Sequence, residues 1–337
     1  MTRKPAALLA FDTTRNPDTF APEQLARIAE LTELLRREPI ADFDDPAVRS
    51  LLQRVEILIT GWGVARITSD VLDAAPRLRL VAHAAGTVKF VLDPAVWQRG
   101  ILVTNAAAAN ALPVAEFTLA AILFANKQAF RLQRIYRQAR AARKPWRDQA
   151  PGLGNYGKTI GIVGASRVGW RVIELLTPFD FRIQVFDPFL AAAEAHALGV
   201  DIVELDTLMA TSDLVSLHAP STPATQGMID RRRLALMRDG AILVNTARGA
   251  LVDQDALIDE TRSGRIDAII DVTEPDVLPP DSPLYDIPNV FLTPHIAGSQ
   301  GSETQRMTDV ILEELARYVR GEPLRHQVAF DALERLA

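Results

Sequence analysis

Apolar runs alternate along the chain with segments of helical composition. Four runs precede residue 105, namely LLAF, VEILIT, LRLVAH and ILVT, and five more lie between Ile160 and Asp271: TIGIVG, IQVFD, LVSLH, AILVN and IDAIIDV. Strands that alternate with helical segments are typical of βαβ units. The second series is almost continuously apolar, as expected when helices cover both faces of a parallel sheet. The pattern predicts an α/β chain whose later strands form one parallel sheet.

Two longer segments have helical character. The apolar segment Pro113 to Phe130 fits a helix that joins two structural units, and Glu303 to Arg320 has the amphipathic period of a helix that could carry the chain back. We therefore expect a first α/β unit of about a hundred residues before the second series of strands.

The chain has 337 residues and no cysteine. Without cysteine there are no disulfides, thiolate nucleophiles or cysteine-ligated metals, and a cytoplasmic location is the simplest expectation. The apolar stretch Ala6 to Phe11 ends at Asp12, which favours a first β-strand over a signal sequence. We expect no run of membrane-spanning length and hence no membrane partner.

The formal net charge of −5 argues against nucleic acid as a partner, although a local basic patch could survive that average. One stretch of helical composition is rich in basic residues: Arg131, Arg134, Arg137, Arg140, Arg143, Lys144 and Arg147. Because each third residue of an α-helix falls back by about 60°, we expect the five arginines to spread over most of the circumference. The stretch predicts a solvated or subunit-contacting helix.

The segment Thr159 to Trp170, TIGIVGASRVGW, ends a run of β-branched residues on a glycine turn. Gly164 permits the tight turn, Gly169 lets the next helix lie close to the sheet, and the helix N-terminus offers unpaired N–H groups to a pyrophosphate. Asp187 follows a second apolar run at the expected ribose position. Ser166 replaces the middle glycine of G-x-G-x-x-G, and we expect its side chain to crowd the pyrophosphate. The order of these features predicts a dinucleotide site, against the alternative of a tight turn in another α/β protein.

Further motifs follow the glycine turn: SLHAP around His218, GAILVNTARGALVD around Arg248, DVTEPD from Asp271 and PNVFLTPHIAGS around His295. Together with LRLVAHAAGTVKFV and GILVTNAAAANALPVAEFTLA in the first half, they resemble the D-isomer-specific 2-hydroxyacid dehydrogenases. That family includes phosphoglycerate, glyoxylate/hydroxypyruvate and formate dehydrogenases. The resemblance covers nearly the whole chain.

The resemblance implies an α/β fold with two Rossmann-like domains. A discontinuous, flavodoxin-like substrate domain is expected over residues 1–107 and 303–337, with an NAD-binding doubly wound parallel sheet inserted over residues 108–302. A homodimer built around the cofactor domains is also implied. From the end of the sequence at Ala337 we expect none of the regulatory domain that some phosphoglycerate dehydrogenases carry.

Oxidising a 2-hydroxy acid or reducing a 2-oxo acid needs an anchor for the carboxylate and a proton carrier for the oxygen. Arg248 follows the strand Ile242 to Asn245, so its guanidinium should sit at the carboxyl edge of the sheet and fork onto a carboxylate or oxo group. His295 follows the short strand Val290 to Leu292, and imidazole titrates near neutral pH. In the family these positions are the substrate arginine and the catalytic histidine.

A histidine base usually needs a carboxylate partner to fix its tautomer. In the family this acid is a glutamate five residues past the aspartate that opens the D-V segment, but the same count from Asp271 reaches Asp276, and Glu274 lies two residues earlier. Either the shorter Asp276 takes the place of the glutamate, or Glu274 does so in a shifted loop. We favour Asp276.

The charge of Asp187 selects the cofactor. Its carboxylate would accept hydrogen bonds from the ribose hydroxyls and repel a 2′-phosphate, and the following Pro188 and Phe189 offer no compensating arginine, so NAD is expected. The resemblance implies that Asp271 binds the carboxamide group of the nicotinamide. The expected cofactor-binding residues are Gly164, Ser166, Arg167, Val168, Gly169, Asp187, His218, Ala219, Pro220, Thr246, Ala247 and Asp271.

The substrate loop is expected at Ala85, Gly86 and Thr87, with Arg248 and His295 completing the substrate contacts. The backbone N–H groups of Gly86 and Thr87 could hold a carboxylate, and Lys89 is either solvated or selective for a second anionic group. No histidine pair has metal-ligand spacing, so we expect no metal. The predicted partner is a small 2-hydroxy or 2-oxo acid. The competing interpretation is a catalytically idle NAD-sensing protein. Two departures from the family pattern, Asp276 in place of glutamate and Ser166 in place of glycine, would favour it.

Overall fold

The computed structural model describes residues 3–14, 17–140 and 152–335. Its strands, in chain order, are β1 (Ala6–Ala10), β2 (Glu33–Leu34), β3 (Ile57–Thr60), β4 (Leu80–His83), β5 (Leu102–Asn105), β6 (Thr159–Val163), β7 (Arg182–Phe186), β8 (Asp201–Ile202), β9 (Leu214–Leu217), β10 (Ile242–Asn245), β11 (Asp267–Ile270) and β12 (Val290–Leu292). Its α-helices are α1 (Pro22–Leu31), α2 (Pro46–Leu52), α3 (Ser69–Ala74), α4 (Ala95–Gln98), α5 (Ala107–Asn126), α6 (Ala129–Ala139), α7 (Arg167–Leu176), α8 (Ala192–Leu198), α9 (Leu205–Thr211), α10 (Arg231–Leu236), α11 (Gln254–Arg262) and α12 (Gln305–Arg320). Short 3-10 helices cover Gly249–Leu251, Pro283–Tyr285, Gly301–Thr304 and Phe330–Arg335.

The chain divides into two compact units. The first unit is Met1–Asn110 with Ser299–Ala337, and the second is Ala111–Gly298. In the described part of the first unit, five parallel strands take the order β2-β1-β3-β4-β5. This is the flavodoxin-like order 2-1-3-4-5. Ile311 and Leu315 of α12 pack on this sheet, so the amphipathic C-terminal helix returns to the first unit as the sequence pattern predicts.

The second unit contains a doubly wound sheet. Its described strands are all parallel and take the order β12-β11-β10-β9-β6-β7-β8. The strand order reverses between β6 and β9, and in open α/β sheets ligands bind outside the carboxyl ends of the strands at such a switch point. The predicted fold class is confirmed for both units.

Both faces of each sheet are buried. In β3, Leu58 belongs to one apolar cluster and its neighbours Ile57 and Ile59 to the cluster on the opposite face. In β10, Leu243 and Val244 likewise belong to opposite clusters. Successive side chains of a strand point to opposite faces, so burial of both faces requires continuous apolar strands. This is the reason that the strand pattern is readable in the sequence.

Helix α5 differs from the predicted helix Pro113 to Phe130. It begins at Ala107 and ends at Asn126, with Pro113 inside it. Proline removes one intrahelical hydrogen bond, but the helix continues because its apolar side chains are buried on both sides of that point, including Ala109 and Val114. The signal for the true start was Asn105, whose Oδ1 accepts the Ala107 N–H at 3.4 Å.

By length and composition alone, α5 is long and apolar enough to cross a membrane, which corrects the expectation that no run reaches that length. Core helices of soluble proteins meet the same criteria.

The basic stretch forms α6 as far as Ala139, and Arg143, Lys144 and Arg147 lie outside the described residues. The expectation that the five arginines spread over most of the circumference includes Arg143, so it stays a prediction. Arg131, Arg134 and Arg137 line one cavity of about 390 Å³, together with Asp267 at the start of β11. Three residues at this spacing span only about 120° of the circumference, which is one side of a helix. Burial raises the pKa of Asp267, and the charges of Arg131 and Arg134 oppose that shift.

Candidate active site

The glycine turn joins β6 to α7. Gly164 has φ +97°, which favours glycine, and its N–H bonds the Phe186 carbonyl at 2.8 Å. Ser166 is the N-cap of α7, and its hydroxyl accepts the Gly169 N–H at 3.3 Å. The hydroxyl is thus turned back onto the helix. The first N–H groups of α7, at Arg167 and Val168, belong to the set that no α-helix satisfies internally.

Close packing explains both glycines. A Cβ on Gly169 would lie 2.0 Å from the Gly164 oxygen, and a Cβ on Gly164 would lie 2.6 Å from the Ala219 nitrogen. The backbone at Ala219 follows β9, so the turn is packed against the neighbouring strand across the switch point. Any side chain at either position would force these backbones apart.

His218 lies behind this turn. Its side chain is buried, and its Nε2 is 2.9 Å from the Ser216 hydroxyl. Burial lowers the pKa of His218 to about 3, so the imidazole is neutral at physiological pH. Among the described residues, Nδ1 has no hydrogen-bond partner. Because the His218 ring is buried, it does not face the surface. The part of SLHAP nearest the surface is the chain after β9, at Ala219 and the half-buried Pro220.

Asp187 ties the end of β7 to the glycine turn. Its Oδ2 accepts the Ala165 N–H at 2.7 Å, and its Oδ1 accepts the Phe189 N–H at 2.8 Å. The carboxylate is half-buried and fixed beside the first residues of the turn. A carboxylate has about four acceptor positions, so acceptor capacity remains.

Arg248 lies in a tight turn after β10. Asn245 closes the turn by accepting the Ala247 N–H at 3.1 Å and donating to the Arg248 carbonyl at 2.9 Å. The next residue, Gly249, lies so close to the Thr273 backbone that a Cβ would approach its carbonyl carbon to 2.1 Å. Burial lowers the pKa of Arg248, while the negative charge of Asp276 opposes the shift. The Arg248 guanidinium donates to the Ala247 carbonyl at 2.6 Å.

Thr246, in the same turn, is buried and lies 2.8 Å, hydroxyl to hydroxyl, from Thr118 of α5. Its hydroxyl is engaged with the helix, and the adjacent Ala247 is half-buried.

His295 follows β12 and pairs with an acid. Its Nδ1 lies 2.7 Å from Asp276 Oδ1, and the two side chains are 46% and 65% exposed. Of the two acids that the sequence left open, Asp276 is the one in contact with His295. The backbone N–H of Glu274 donates to Gln254 Oε1 at 3.2 Å, and its side chain is exposed. The shorter aspartate therefore reaches the imidazole without help from Glu274.

Asp271 is buried behind His295. Its N–H donates to the Asn245 carbonyl at 3.0 Å, and its own carbonyl accepts the His295 N–H at 2.9 Å. The carboxylate accepts from the Thr293 hydroxyl and from the N–H groups of Ile296 and Ala297. Asp271 is thus bonded to the segment that carries the histidine.

The expected substrate loop lies in the first unit, after β4. The Ala85 carbonyl accepts the Ala106 N–H at 3.0 Å, and the Gly86 carbonyl accepts from the Asn105 side chain at 2.8 Å. The Thr87 hydroxyl accepts the Lys89 N–H at 3.3 Å. Ala85 is buried, which leaves backbone groups as its means of contact. Lys89 is half-buried and is not free of protein contacts.

His83 supports this loop from below. It is buried, its Nδ1 lies 2.8 Å from the Thr60 hydroxyl, and burial lowers its pKa to about 4 against a smaller raising effect of the Thr87 backbone. No cluster of His, Cys, Asp or Glu suited to a metal occurs among the residues that the structure describes.

Sequence reasoning missed the residues that hold the site together. Asn245, Thr118 and Thr293 carry no motif chemistry of their own, but each makes a hydrogen bond described above to a predicted site residue. Asn245 ends the strand that precedes Arg248, a position where the polar side chain after ILV was a usable signal. For Thr118 and Thr293 the partner is distant in sequence.

Comparison with known proteins identifies the family. The sequence of the chain matches the family model of the D-isomer-specific 2-hydroxyacid dehydrogenase NAD binding domain over residues 119–297. This range is more than half of the chain and nearly all of the second unit. The chain belongs to the D-isomer-specific 2-hydroxyacid dehydrogenase family. The predicted resemblance is confirmed.

Relatives within this family carry different activities. A D-3-phosphoglycerate dehydrogenase of Archaeoglobus fulgidus is 33% identical over 270 residues, which cover 80% of this chain and 50% of that protein. A glyoxylate reductase of Korarchaeum cryptofilum is 36% identical over 258 residues, covering 76% of this chain and 77% of that protein. A crystal structure of a Thermus thermophilus protein matches with a TM-score of 0.75 and 30% identity over 96% of this chain and 100% of that one. The chain spans about half the length of the phosphoglycerate dehydrogenases that it matches.

Proposed function

We propose that the protein is an NAD-dependent oxidoreductase that transfers a hydride between NAD(H) and a small 2-hydroxy or 2-oxo acid. The observation that carries this proposal is the 2.7 Å contact between His295 and Asp276, at the sheet whose strand β10 precedes Arg248 and whose switch point carries the glycine turn. We assign the second unit to the cofactor and the first unit, with the loop Ala85–Thr87, to the substrate.

The second unit fits a nicotinamide dinucleotide. The first-turn N–H groups of α7 are suited to a pyrophosphate, and the Asp187 carboxylate is fixed at the end of β7, where the adenosine ribose lies in such folds. The bound cofactor supplies or accepts the hydride. A carboxylate at this position would repel a 2′-phosphate, so we propose NAD over NADP.

Arg248 is the anchor for the substrate carboxylate or oxo group. Its planar guanidinium can make two parallel hydrogen bonds, which fixes the orientation of the 2-carbon. Partial burial strengthens this contact because water competes less for the charge.

His295 gives a proton to the oxo group during reduction and takes it from the hydroxyl during oxidation. With Nδ1 directed at Asp276, the other ring nitrogen, Nε2, is the one available to the substrate oxygen. Asp276 holds the orientation of the ring through its contact with Nδ1.

The two departures from the family pattern do not favour the idle NAD-sensing protein. Ser166 serves as the N-cap of α7, and Asp276 lies in contact with His295 despite its shorter side chain. Following the family expectation, we further propose a homodimer, which light scattering of the purified protein tests directly. The absence of cysteine supports the separate proposal of a cytoplasmic location.

A panel of 2-oxo acids with NADH, followed at the nicotinamide absorbance, tests the function. We expect turnover with at least one acid, and His295→Ala should lose about 10²–10⁴-fold while still binding NADH. Absence of turnover throughout the panel, with NADH bound, would instead favour the NAD-sensing interpretation.

The acidic partner is tested by matched amides. Asp276→Asn should lower the rate of oxo-acid reduction about tenfold, the value of a partly solvated charge-assisted hydrogen bond. Glu274→Gln is the control and should leave the rate unchanged. Asp276→Glu restores the side chain usual in the family and should keep activity.

A further inference from the structure

Asp271 carries a buried negative charge that the proposed chemistry does not use. The residue is only 2% exposed. A buried carboxylate is costly unless hydrogen-bond donors satisfy it. The positions of those donors show which part of the chain the carboxylate holds in place.

Three donors to this carboxylate, all within the described residues, come from one short segment after β12. The Thr293 hydroxyl donates to Oδ1 at 2.6 Å, the Ile296 N–H to the same oxygen at 2.8 Å, and the Ala297 N–H to Oδ2 at 2.9 Å. This segment encloses His295, with one donor before it and two after it. The carboxylate therefore gathers the chain on both sides of the histidine.

His295 itself has an unusual backbone conformation. Its φ is +57°, in the left-handed region, which is unfavourable for a residue with a Cβ and persists only when surrounding contacts enforce it. The main-chain bond from the His295 N–H to the Asp271 carbonyl, at 2.9 Å, adds a fourth tie between the two residues. The backbone conformation decides where the side chain points, and here it points to Asp276.

We propose that Asp271 is a positioning residue for His295. Its buried carboxylate holds the segment from Thr293 to Ala297 in the strained conformation that directs the imidazole at Asp276. The catalytic consequence rests on the proposed function, whereas the effect on the imidazole does not.

This role is distinct from the contact with the nicotinamide carboxamide that the family resemblance implies. A carboxylate has about four acceptor positions, and three are occupied by the histidine segment. A carboxamide N–H could take the fourth. Positioning of His295 and contact with the carboxamide make different predictions for a variant that loses a hydrogen-bond donor of the histidine segment but keeps the Asp271 carboxylate.

Thr293→Val removes one donor and leaves the charge of Asp271 in place. We expect kcat for oxo-acid reduction to fall about tenfold, since a hydrogen bond to a charged group is lost and the segment can relax. The KM for NADH should stay within about twofold. Thr293→Ser keeps the hydroxyl and should restore kcat.

Thr261→Val is the matched control. The Thr261 hydroxyl is also buried in the second unit, but it donates to the Leu257 carbonyl within α11 at 2.7 Å. It should leave kcat unchanged. An equal kcat in Thr293→Val and Thr261→Val would overturn the proposal, and a raised KM for NADH with unchanged kcat would assign Asp271 to the cofactor alone.

The tautomer of the His295 imidazole provides a second measurement, which does not depend on enzymatic activity. In ¹⁵N-histidine spectra of the protein without substrate, the ring of His295, identified by its loss in His295→Gln, should show one dominant tautomer with the proton on Nδ1. Thr293→Val should convert it to a tautomer mixture, and Thr293→Ser and Thr261→Val should not. An unchanged His295 signal in Thr293→Val would refute the positioning role.

The two readings separate the proposals. A changed His295 signal with no turnover of any 2-oxo acid by the unmodified protein would support positioning and reject the oxidoreductase function. Turnover with an unchanged signal would do the reverse. Asp271→Asn should show the larger loss, because its amide would place a donor against the N–H of Ile296 or Ala297, and the Thr293 variants decide the question if that protein does not fold.

Discussion

Mild acid should destabilise each unit through one buried histidine. His83 in the first unit and His218 in the second are each 2% exposed, and burial lowers their pKa values to about 4 and about 3. An unfolded histidine titrates near 6.5. Between these values the unfolded chain binds a proton that the folded chain excludes. The stabilisation is therefore complete above about pH 6.5 and is lost as the pH falls toward the folded pKa.

The size of the effect follows from linkage. Between its folded and unfolded pKa values, each histidine changes the free energy of unfolding by about 1.4 kcal/mol for each step of one in pH. From pH 7 to pH 5, each of the two structural units should therefore lose about 2 kcal/mol of stability. The pKa values of Asp206 and Glu322 are also lowered, by hydrogen bonds from arginines. Unfolded carboxyl groups titrate near 4, so these acids affect stability only at lower pH.

Urea unfolding at pH 7, 6 and 5, followed by far-ultraviolet circular dichroism, measures the loss. His83→Asn keeps a neutral amide near the Thr60 hydroxyl, and His218→Gln does the same near Ser216. Each variant should remove about 2 kcal/mol of the pH dependence, and the exposed His196→Gln should remove almost none. The reasoning fails if the unmodified protein is equally stable at pH 7 and 5, or if all three variants keep the full pH dependence.

Further predictions concern the cofactor turn and the substrate anchor. NADH should be used well ahead of NADPH, and Asp187→Ala should narrow the ratio of kcat/KM values about tenfold by relieving repulsion of the 2′-phosphate, whereas equal use of both cofactors by the unmodified protein would contradict it. Gly169→Ala should cost about 3–5 kcal/mol in urea unfolding, because its Cβ would lie 2.0 Å from a backbone oxygen. Gly199→Ala, with φ +68° and nothing within 4 Å, should cost only about 1 kcal/mol, so equal losses would show that packing is not the cause. Arg248→Lys should lower kcat/KM on the order of 10²-fold despite its retained charge, and a near-normal value would mean that no bidentate contact exists.

The sequence was sufficient for the strands because both faces of each sheet are buried. Leu243 and Val244, adjacent in β10, must both be apolar since they face opposite clusters. Short edge strands carry no such requirement. β2 and β8 are two residues each and partly exposed, and the apolar pattern does not reveal them.

The ends of α5 show a different limit. Proline is favoured in the first turn of a helix and disfavoured in its interior, so Pro113 was a reasonable start on local grounds. The burial of neighbouring side chains outweighed the one hydrogen bond that proline removes. Local preference is a weak guide where packing contributes more.

The sequence alone determined the α/β class, the glycine turn and the residue types that stand after the strands, because chain geometry places strand ends at one edge of a parallel sheet. Only the tertiary structure decided that Asp276 and not Glu274 contacts His295, that Asp271 gathers the donors around that histidine, and that three arginines of α6 share one cavity. The first two of these join residues from separate segments at distances of 2.6–2.9 Å. Such distances depend on loop conformation and packing, for which a single sequence carries no periodic signal.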